Sequence, residues 1–329
     1  MSINKTHIGI IGLGAIGERL MKQFQGQEDL VVTAFCDTNE IRLKAMAETF
    51  AIKSVTIDYQ ELLANEDLQA VYVAVPPKYH EEIVLAAVAA GKHILCEKPL
   101  ANSLEEAKQI VTSVEKTNLV HAMHFPLNYQ TSLQQFELLI NEGYIGNLRR
   151  INLKMHFPHW PRLWQQSEWV AGREQGGYVL EVGVHWIQAI QRIFGSITEV
   201  RSQLQFPDDP SSCENGIIAE MKLENGISIL IDGLSNIGGE EQIEFAAYGT
   251  EGTIMLRNWR QLLAAKSGAE LEEIPVINGN GKNLISEFSK AIHGQEAAEL
   301  YDFSVGYNAQ IVLEALRNPK HNNWQKINN

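Results

Sequence analysis

Short apolar runs alternate with amphipathic segments along the first third of the chain. A short apolar run rich in β-branched residues predicts a buried strand, and apolar residues at helical spacing predict an amphipathic helix. Because the two kinds of segment alternate, the pattern predicts a parallel, doubly wound sheet. The predicted strands are Ile8–Ile11, Val31–Cys36, Ala70–Val75, Ile94–Cys96 and Leu119–Met123. The predicted helices are Ile16–Phe24, Asn39–Phe50, Tyr59–Leu63, His80–Ala90 and Leu104–Lys116.

The pattern changes after about residue 123. Residues Ile197–Leu256 alternate apolar and polar positions and contain turn pairs such as Asn225-Gly226, which predicts several antiparallel strands. The other predicted elements are the helix Leu127–Glu142, the strand Arg150–Phe157, and the helices Leu284–His293 and Asp302–Leu316. The sequence therefore predicts two α/β domains, 1–123 and 124–329, and leaves room for the C-terminal helix to pack back on the first domain.

A glycine-rich turn, Gly12-Leu13-Gly14-Ala15-Ile16-Gly17, lies between the first predicted strand and helix, and Asp37 ends the second strand. Gly12 permits a tight turn, Gly14 lets the backbone approach a pyrophosphate, and Gly17 lets the helix lie close to the strand. The helix N-terminus then offers unpaired N–H groups to phosphates. This context predicts a dinucleotide site, against the alternative of a plain glycine turn in another α/β protein. The predicted cofactor-binding residues are Gly12, Gly14, Ala15, Ile16, Gly17 and Asp37.

Asp37 also predicts which dinucleotide binds. A carboxylate at the end of the second strand accepts hydrogen bonds from both ribose hydroxyls and repels a 2′-phosphate. Thr38 and Asn39 follow it, so no arginine stands directly beside it. The sequence therefore favours NAD over NADP.

Composition excludes several kinds of partner. The net charge of −13, from 27 basic and 40 acidic residues, repels nucleic acid backbones. No apolar run approaches the ~18 residues of a membrane helix, and the N-terminus lacks the apolar core of a secretory signal. The three cysteines cannot all pair, which predicts reduced thiols. We therefore expect a cytoplasmic protein that binds a small-molecule substrate, without nucleic acid or membrane partners.

A second motif is more specific than the glycines. The segments from Ala74 to His80 and from Ala90 to Leu100 contain a Pro-Pro turn after one strand and Glu97-Lys98-Pro99 after the next. The chain resembles the glucose–fructose oxidoreductase, inositol dehydrogenase and MocA (Gfo/Idh/MocA) family in these residues. The resemblance implies an NAD-binding Rossmann domain at 1–123. It implies a substrate-binding and oligomerisation domain at 124–329, with an open, mostly antiparallel sheet, in a homodimer or homotetramer. It also implies further cofactor contacts from Val75, Pro76, Pro77, His80, Glu97 and Lys98.

Lys98 lies at the carboxyl end of a predicted parallel strand, where catalytic groups gather in such sheets. A lysine there could stabilise charge that develops on a reacting oxygen, and the resemblance implies that role. The alternative is a surface lysine at a strand end.

Glu181 and His185 lie four residues apart, so on a helix they share one face. An amphipathic helix with a solvated polar face is the alternative. The resemblance implies that His185 exchanges a proton with the substrate hydroxyl and that Glu181 orients the substrate or the imidazole. The family more often has Asp where this chain has Glu181. It also often has an Arg-Phe pair where this chain reads Asn128-Tyr129, so the arginine's function is performed differently or not at all here.

An aromatic stretch runs from His156 to Trp164. Aromatic rings stack on sugar C–H surfaces, and Arg162 could bind hydroxyls or a carboxylate; loop packing or an oligomer contact is the alternative. The predicted substrate residues are His124, Asn128, His156, Trp160, Arg162 and Trp164. We expect no metal, because neither an HExxH nor a paired CxxC motif accompanies the histidines.

The sequence thus predicts an oxidoreductase that transfers a hydride between NAD(P) and a secondary alcohol or ketone of a sugar, polyol or related molecule. Lys98 and His185 are expected to meet at the same nicotinamide ring. Two alternatives remain: a non-catalytic NAD-binding regulator on the same fold, and a reductase of a non-sugar C=N or C=C bond.

Overall fold

The structure is a computed structural model that describes residues 5–276, 283–320 and 323–327. Contacts divide the chain into two units. Unit 1 comprises Met1–Phe125 with Lys282–Tyr307, and unit 2 comprises Pro126–Gly281 with Asn308–Asn329. The main break at residue 125 lies close to the change of pattern in the sequence.

The strands and helices of the described residues are each numbered in chain order. The strands are β1 (Thr6–Ile11), β2 (Leu30–Cys36), β3 (Ser54–Thr56), β4 (Ala70–Val73), β5 (His93–Cys96), β6 (His121–Met123), β7 (Leu148–Phe157), β8 (Ile197–Gln205), β9 (Gly216–Leu223), β10 (Ser228–Ser235), β11 (Gln242–Gly249), β12 (Gly252–Arg257), β13 (Gln261–Lys266), β14 (Glu272–Glu273) and β15 (Gln325–Lys326). The helices are α1 (Ala15–Phe24), α2 (Glu40–Phe50), α3 (Tyr59–Leu63), α4 (His80–Ala89), α5 (Leu104–Val114), α6 (Thr131–Asn141), α7 (Glu168–Ala171), α8 (Val184–Phe194), α9 (Leu284–Ile292) and α10 (Phe303–Arg317).

Unit 1 contains a six-stranded sheet in the order β3-β2-β1-β4-β5-β6. Every neighbouring pair in it is parallel. This order places the switch in winding direction between β1 and β4, where doubly wound sheets bind nucleotides. The four residues of β4 are all buried, as expected for a strand covered on both faces. The predicted doubly wound fold is confirmed.

Asn39 and Ser103 are the N-caps of α2 and α5, a position where Asn and Ser are common. The Arg42 N–H donates to the Asn39 side chain at 3.0 Å, and the Glu106 N–H donates to Ser103 Oγ at 3.2 Å. Both side chains satisfy an N–H group that the helix itself leaves unpaired.

Part of the predicted second domain groups instead with unit 1. It contains α9, whose Ser289 Oγ donates to Asp29 Oδ2 at 2.7 Å. Further on, the Met123 N–H donates to the Tyr301 carbonyl at 2.7 Å. These hydrogen bonds join residues far apart in sequence, which is why periodicity does not reveal them.

Unit 2 contains a nine-stranded sheet in the order β14-β13-β12-β11-β7-β10-β9-β8-β15. The central pair β7–β10 is parallel, and the other neighbouring pairs are antiparallel. The predicted open, mostly antiparallel sheet is therefore confirmed. Phe245 of β11 stacks on Phe136 of α6 at 5.0 Å and lies 5.1 Å from Trp186 of α8, between ring centroids. Both helices therefore cover the same face of the sheet.

The predicted helix Leu127–Glu142 is wrong in its first turn. A 3₁₀ turn over Pro126–Tyr129 precedes α6, and Gln130 between them is extended, with φ −75° and ψ 125°. The Asn128 side chain is buried and bonded to Gln188. This long-range contact favours a break that helical periodicity does not reveal.

Among the described residues, no helix is both long enough and apolar enough to cross a bilayer.

Candidate active site

The glycine-rich turn in unit 1 is fixed by contacts that exclude larger side chains. Gly12 has φ +93°, and a Cβ there would lie 2.4 Å from the Ala74 carbonyl oxygen. A Cβ on Gly17 would lie 2.2 Å from the Gly12 carbonyl oxygen. Gly14 differs, because the nearest atom to its Cβ would be Arg42 Nη1 at 3.9 Å. Gly12 and Gly17 thus serve close packing, whereas Gly14 leaves open space at the N-terminus of α1.

Gly14 is the N-cap of α1, and among the described residues no side chain caps this helix. Ala15 and Ile16 occupy the first turn, where N–H groups have no partner within the helix. The arrangement can receive an anionic group through backbone N–H donors and the positive end of the helix dipole.

The Asp37 carboxylate connects this turn to the end of β2. The Leu13 N–H donates to Asp37 Oδ2 at 2.7 Å, and the Asn39 N–H donates to Oδ1 at 2.8 Å. An ionised carboxylate has about four acceptor sites, so two backbone bonds leave capacity for a ligand. These bonds fix the orientation of the carboxylate that we predict to bind ribose.

His80 joins two loops at the carboxyl ends of β4 and β5. Its Nε2 lies 2.9 Å from the Val75 carbonyl oxygen, and its Nδ1 lies 2.9 Å from the Pro99 carbonyl oxygen. The ring is fully buried, and this burial lowers the pKa of His80. The loop from Val75 continues through Pro76 to Pro77, which begins a 3₁₀ turn. His80 therefore holds together two loops that carry predicted cofactor-binding residues.

Glu97, predicted to contact the cofactor, and His124, predicted to contact the substrate, bind each other. Both are buried, and the Glu97 carboxylate accepts hydrogen bonds from the Tyr72 hydroxyl and pairs with His124 Nδ1. Burial alone would raise the pKa of Glu97. The His124 imidazole, with contributions from Lys98 and Tyr72, outweighs burial and lowers that pKa to about 2. Glu97 is thus a buried anion directly before Lys98 in the chain.

Lys98 itself is half-buried and is the second residue after the end of β5. Cys96, at the end of the same strand, is buried, and burial raises the pKa of its thiol well above the ordinary value. A thiol held in its protonated form is a poor nucleophile. Cys96 is therefore unsuited to covalent chemistry at this strand end, and a catalytic role of Lys98 stays a prediction.

In unit 2, Glu181 and His185 lie where two kinds of helix meet. Glu181 belongs to a π-helical turn, Val179–Gly183, and His185 to the first turn of α8. Such π turns are rare in proteins, and those that do occur are often at functional sites. The simple α-helical spacing assumed from the sequence therefore does not hold at Glu181.

Gln165, which directly follows the aromatic stretch, contacts Glu181 and was not predicted from the sequence. Gln165 Nε2 donates to Glu181 Oε2 at 2.7 Å, and Glu181 is buried. No feature of the sequence around Gln165 marks it as a partner of a residue 16 positions away. The bond holds one carboxylate oxygen of Glu181 in place.

The turn before Val179 is held by a second buried carboxylate, Glu214. Its Oε1 accepts from the Val179 N–H at 2.8 Å, and burial raises the pKa of Glu214. Gly177 has φ +95°, and a Cβ there would lie 2.2 Å from Glu214 Oε2. Glycine at this position therefore lets the carboxylate reach the start of the π turn.

Asn128 stands where the family often has an arginine-phenylalanine pair. Its Nδ2 donates to Gln188 Oε1 at 2.8 Å, and Gln188 lies on α8 one turn after His185. Both residues are buried. The pair links the 3₁₀ turn at Pro126–Tyr129 to the helix that carries His185.

The other predicted substrate residues mostly hold the aromatic stretch together. Trp160 is buried, and its indole N–H donates to the Val170 carbonyl at 3.3 Å. Arg162 forms a two-point ion pair with Glu241, at 2.9 and 2.8 Å, and His156 Nε2 lies 3.0 Å from Asp232 Oδ2. Trp164 is 51% exposed. These contacts agree with the packing alternative for Trp160 and Arg162, and direct contact of the four residues with substrate stays a prediction.

Within the ranges that the structure describes, no three His, Cys, Asp or Glu side chains are grouped as a metal ion would require.

Known proteins match the chain in both units. A model described as "Oxidoreductase family, NAD-binding Rossmann fold" matches residues 6–125, and one described as "GFO/IDH/MocA C-terminal domain" matches residues 133–255. The uncharacterized oxidoreductase YrbE of Bacillus subtilis is 26% identical over 269 residues, which cover 80% of this chain and 76% of that protein.

Two further matches have named activities. The myo-inositol 2-dehydrogenase of Thermotoga maritima is 25% identical over 261 residues, 77% of this chain and 76% of that enzyme. The structure of levoglucosan dehydrogenase in complex with NADH superposes with a TM-score of 0.82 at 22% identity, covering 98% of this chain and 99% of that one. The structural likeness shows a shared fold. Because the two models together cover well over half of its residues, the chain belongs to the Gfo/Idh/MocA family of oxidoreductases and carries that family's NAD-binding Rossmann domain.

Proposed function

We propose that this protein oxidises a secondary alcohol of a sugar, polyol or related cyclic molecule to a ketone with NAD, or catalyses the reverse reduction. The observation that carries the proposal is Lys98 at the carboxyl end of β5, in an NAD-binding domain and next to the buried Glu97 anion. The names of two similar proteins, a myo-inositol dehydrogenase and a levoglucosan dehydrogenase, support the substrate class.

The residues of unit 1 fit NAD. The open space at Gly14 and the uncapped start of α1 suit the pyrophosphate. Asp37 keeps acceptor sites for the ribose hydroxyls and would repel a 2′-phosphate. We therefore propose NAD as the preferred cofactor over NADP.

The chemistry that bound NAD supplies is the acceptance of a hydride from the carbinol carbon, or its return. Lys98 would donate a hydrogen bond to the substrate oxygen and stabilise the negative charge that grows on it. His185 would take the hydroxyl proton during oxidation and return it during reduction. Glu181, held by Gln165, would orient the substrate or the imidazole. The alcohol thus loses a hydride to the cofactor and a proton to His185, which balances the oxidation.

The test is turnover with NAD and a panel of polyols and sugars that includes myo-inositol and levoglucosan, followed by NADH absorbance. We expect NADH formation by the wild type. Lys98→Ala and His185→Gln should lose on the order of 100-fold or more in kcat, while calorimetry shows NAD binding within about 3-fold of the wild type. Lys108→Ala, which removes an exposed lysine of α5, is the matched control and should retain activity.

Two outcomes would contradict the proposal. Binding of NAD without turnover of any alcohol or ketone would identify a regulator. Oxidation of NADH only with imines or enones would identify a reductase of C=N or C=C bonds.

A further inference from the structure

The turn between β12 and β13 has an unusual backbone for its sequence. Asn258 and Trp259 both have positive φ, 45° and 69°, and the Arg260 N–H donates to the Arg257 carbonyl at 3.2 Å. Tight turns of this kind favour glycine or asparagine at both central positions. A bulky aromatic residue in the left-handed region is an outlier, because its Cβ crowds the backbone. Asn258 fits the turn, whereas Trp259 requires another explanation.

Surrounding hydrogen bonds hold Trp259 in this conformation. The Asn258 N–H donates to the Ile243 carbonyl at 2.8 Å, and the Ile243 N–H donates to Asn258 Oδ1 at 2.9 Å. Ser132 Oγ donates to the Trp259 carbonyl at 3.0 Å. The turn is thus bound to β11 and to the start of α6. Strained residues persist where their surroundings fix them in this way, and they cluster at functional sites.

The Trp259 indole lies against the helix that carries the proposed catalytic histidine. It stacks on Trp186 with ring centroids 5.1 Å apart and an interplanar angle of 25°. It meets the His185 imidazole edge to face, at 6.1 Å and 84°. Trp186 is fully buried and also contacts Phe245. Trp259 therefore packs on the buried ring of Trp186 and lies against the ring of His185.

We propose that Trp259 is a positioning residue that fixes the orientation of the His185 imidazole. The inference rests on the proposed function, in which His185 exchanges the substrate proton. His185 is half-buried at the first turn of α8, where a side chain has more than one staggered rotamer. The indole beside it restricts rotation about the His185 side-chain bonds. A proton acceptor held in one orientation reacts faster than one that samples several.

The test is a kinetic double-mutant cycle between Trp259 and His185. Trp259→Asn removes the ring, while asparagine still suits the left-handed turn. We expect it to lower kcat about 10-fold and to change KM less than about 2-fold. Trp259→Phe, which keeps an aromatic face, should retain kcat within about 3-fold. Combined with His185→Gln, Trp259→Asn should cause no further loss, because its effect acts through His185.

Trp324→Leu is the matched control, since it removes a tryptophan of the same unit that contacts Arg201 and Lys222; it should leave kcat unchanged. A full 10-fold loss on top of His185→Gln, or unchanged kcat in Trp259→Asn, would overturn the inference. If Trp259→Phe is the one variant that folds, its smaller loss of kcat is the test. The inference requires that this loss is absent when Trp259→Phe is combined with His185→Gln.

A crystal structure of Trp259→Asn provides a readout that does not need turnover. We expect His185 in more than one rotamer in the variant and in one rotamer in the wild type. A single unchanged rotamer in both would refute the positioning role. Absence of wild-type turnover on the whole substrate panel would instead refute the proposed function, and the rotamer comparison would still decide the role of Trp259.

Discussion

The Asp37 carboxylate accepts backbone hydrogen bonds from Leu13 and Asn39. A single side chain therefore contacts the glycine-rich turn and, in the proposed function, would repel a 2′-phosphate. The turn contacts use both carboxylate oxygens as acceptors, whereas the repulsion depends on the negative charge. An amide at this position removes the charge together with one of the two backbone hydrogen bonds.

Asp37→Asn keeps one acceptor oxygen and removes the charge. We expect the ratio of kcat/KM for NAD to that for NADP to fall at least about 10-fold, because the repulsion of the 2′-phosphate is lost. Steady-state kinetics with both cofactors measure the ratio. Asp67→Asn, in the same unit and away from the turn, should leave the ratio unchanged. An unchanged ratio in Asp37→Asn would contradict the role of the charge.

Glu97 is a residue whose ionisation should affect the stability of unit 1. Glu97→Gln leaves His124 without its anionic partner in a buried position, so we expect a loss on the order of 3 kcal/mol or more in the free energy of unfolding at neutral pH. Because folding lowers the pKa of Glu97 from 4.5 to about 2, its stabilisation is present above the unfolded value. It is lost as the pH falls through about 2.

Urea unfolding of the wild type and Glu97→Gln over a pH series measures this difference, which should shrink as the pH falls from 4.5 towards 2. Glu18→Gln is the control, since it breaks only an exposed pair with Lys22 and should cost less than about 1 kcal/mol. A difference between wild type and Glu97→Gln that is independent of pH would refute the ionised state of Glu97.

At the scale of elements, the π turn over Val179–Gly183 depends on the buried carboxylate of Glu214. Glu214→Ala removes the acceptor of the Val179 N–H, and we expect it to cost about 1–3 kcal/mol in the free energy of unfolding. It should also lower kcat, because the turn carries Glu181. Glu214→Gln keeps an acceptor oxygen and should retain both stability and kcat at neutral pH.

The pH dependence of Glu214 has the opposite sign to that of Glu97. Burial raises its pKa above the ordinary value of 4.5, so its favourable contribution is present below that value and is lost as the pH rises. Wild type should therefore lose stability relative to Glu214→Gln as the pH rises above 4.5. Chemical unfolding of the two proteins at matched pH values measures the effect, and a constant difference would count against burial as its cause.

Local sequence signals predicted the elements of unit 1 well. The caps at Asn39 and Ser103 and the apolar strands act over a few residues, so the sequence contains the information needed to find them. The resemblance of the Glu97-Lys98-Pro99 segment supplied the family. The short edge strand β3 was missed because its residues are largely exposed and give no apolar run.

Features of the site that depend on distant partners escaped prediction. The break before α6 accompanies the bond from Asn128 to Gln188, and the π turn accompanies the bond from Val179 to Glu214. Gln165 and Trp259 likewise gain their roles from residues far along the chain. Tyr72 gave one usable signal, since a hydroxyl inside a fully buried strand needs a polar partner. That partner proved to be Glu97.

At the scale of the whole molecule, ligand binding should stabilise the chain selectively. NAD at about 100 times its Kd raises the free energy of unfolding by about 2.7 kcal/mol when it binds only the folded state. We expect hydrogen exchange measured by mass spectrometry to slow within Met1–Phe125 on addition of NAD. The effect should be smaller in Asp37→Asn at the same NAD concentration. Equal protection with and without NAD would contradict binding at the glycine-rich turn.

Unit 1 combines residues from before and after the first segment of unit 2, since α9 groups with Met1–Phe125 although nearly half of the chain separates them. During translation, β1–β6 are synthesised long before Ser289, whose hydroxyl donates to Asp29. The six-stranded sheet therefore lacks this contact with α9 until β7–β14 of the nine-stranded sheet have been translated. Synthesis order thus makes the nucleotide-binding half, although encoded first, among the last parts of this protein to be finished.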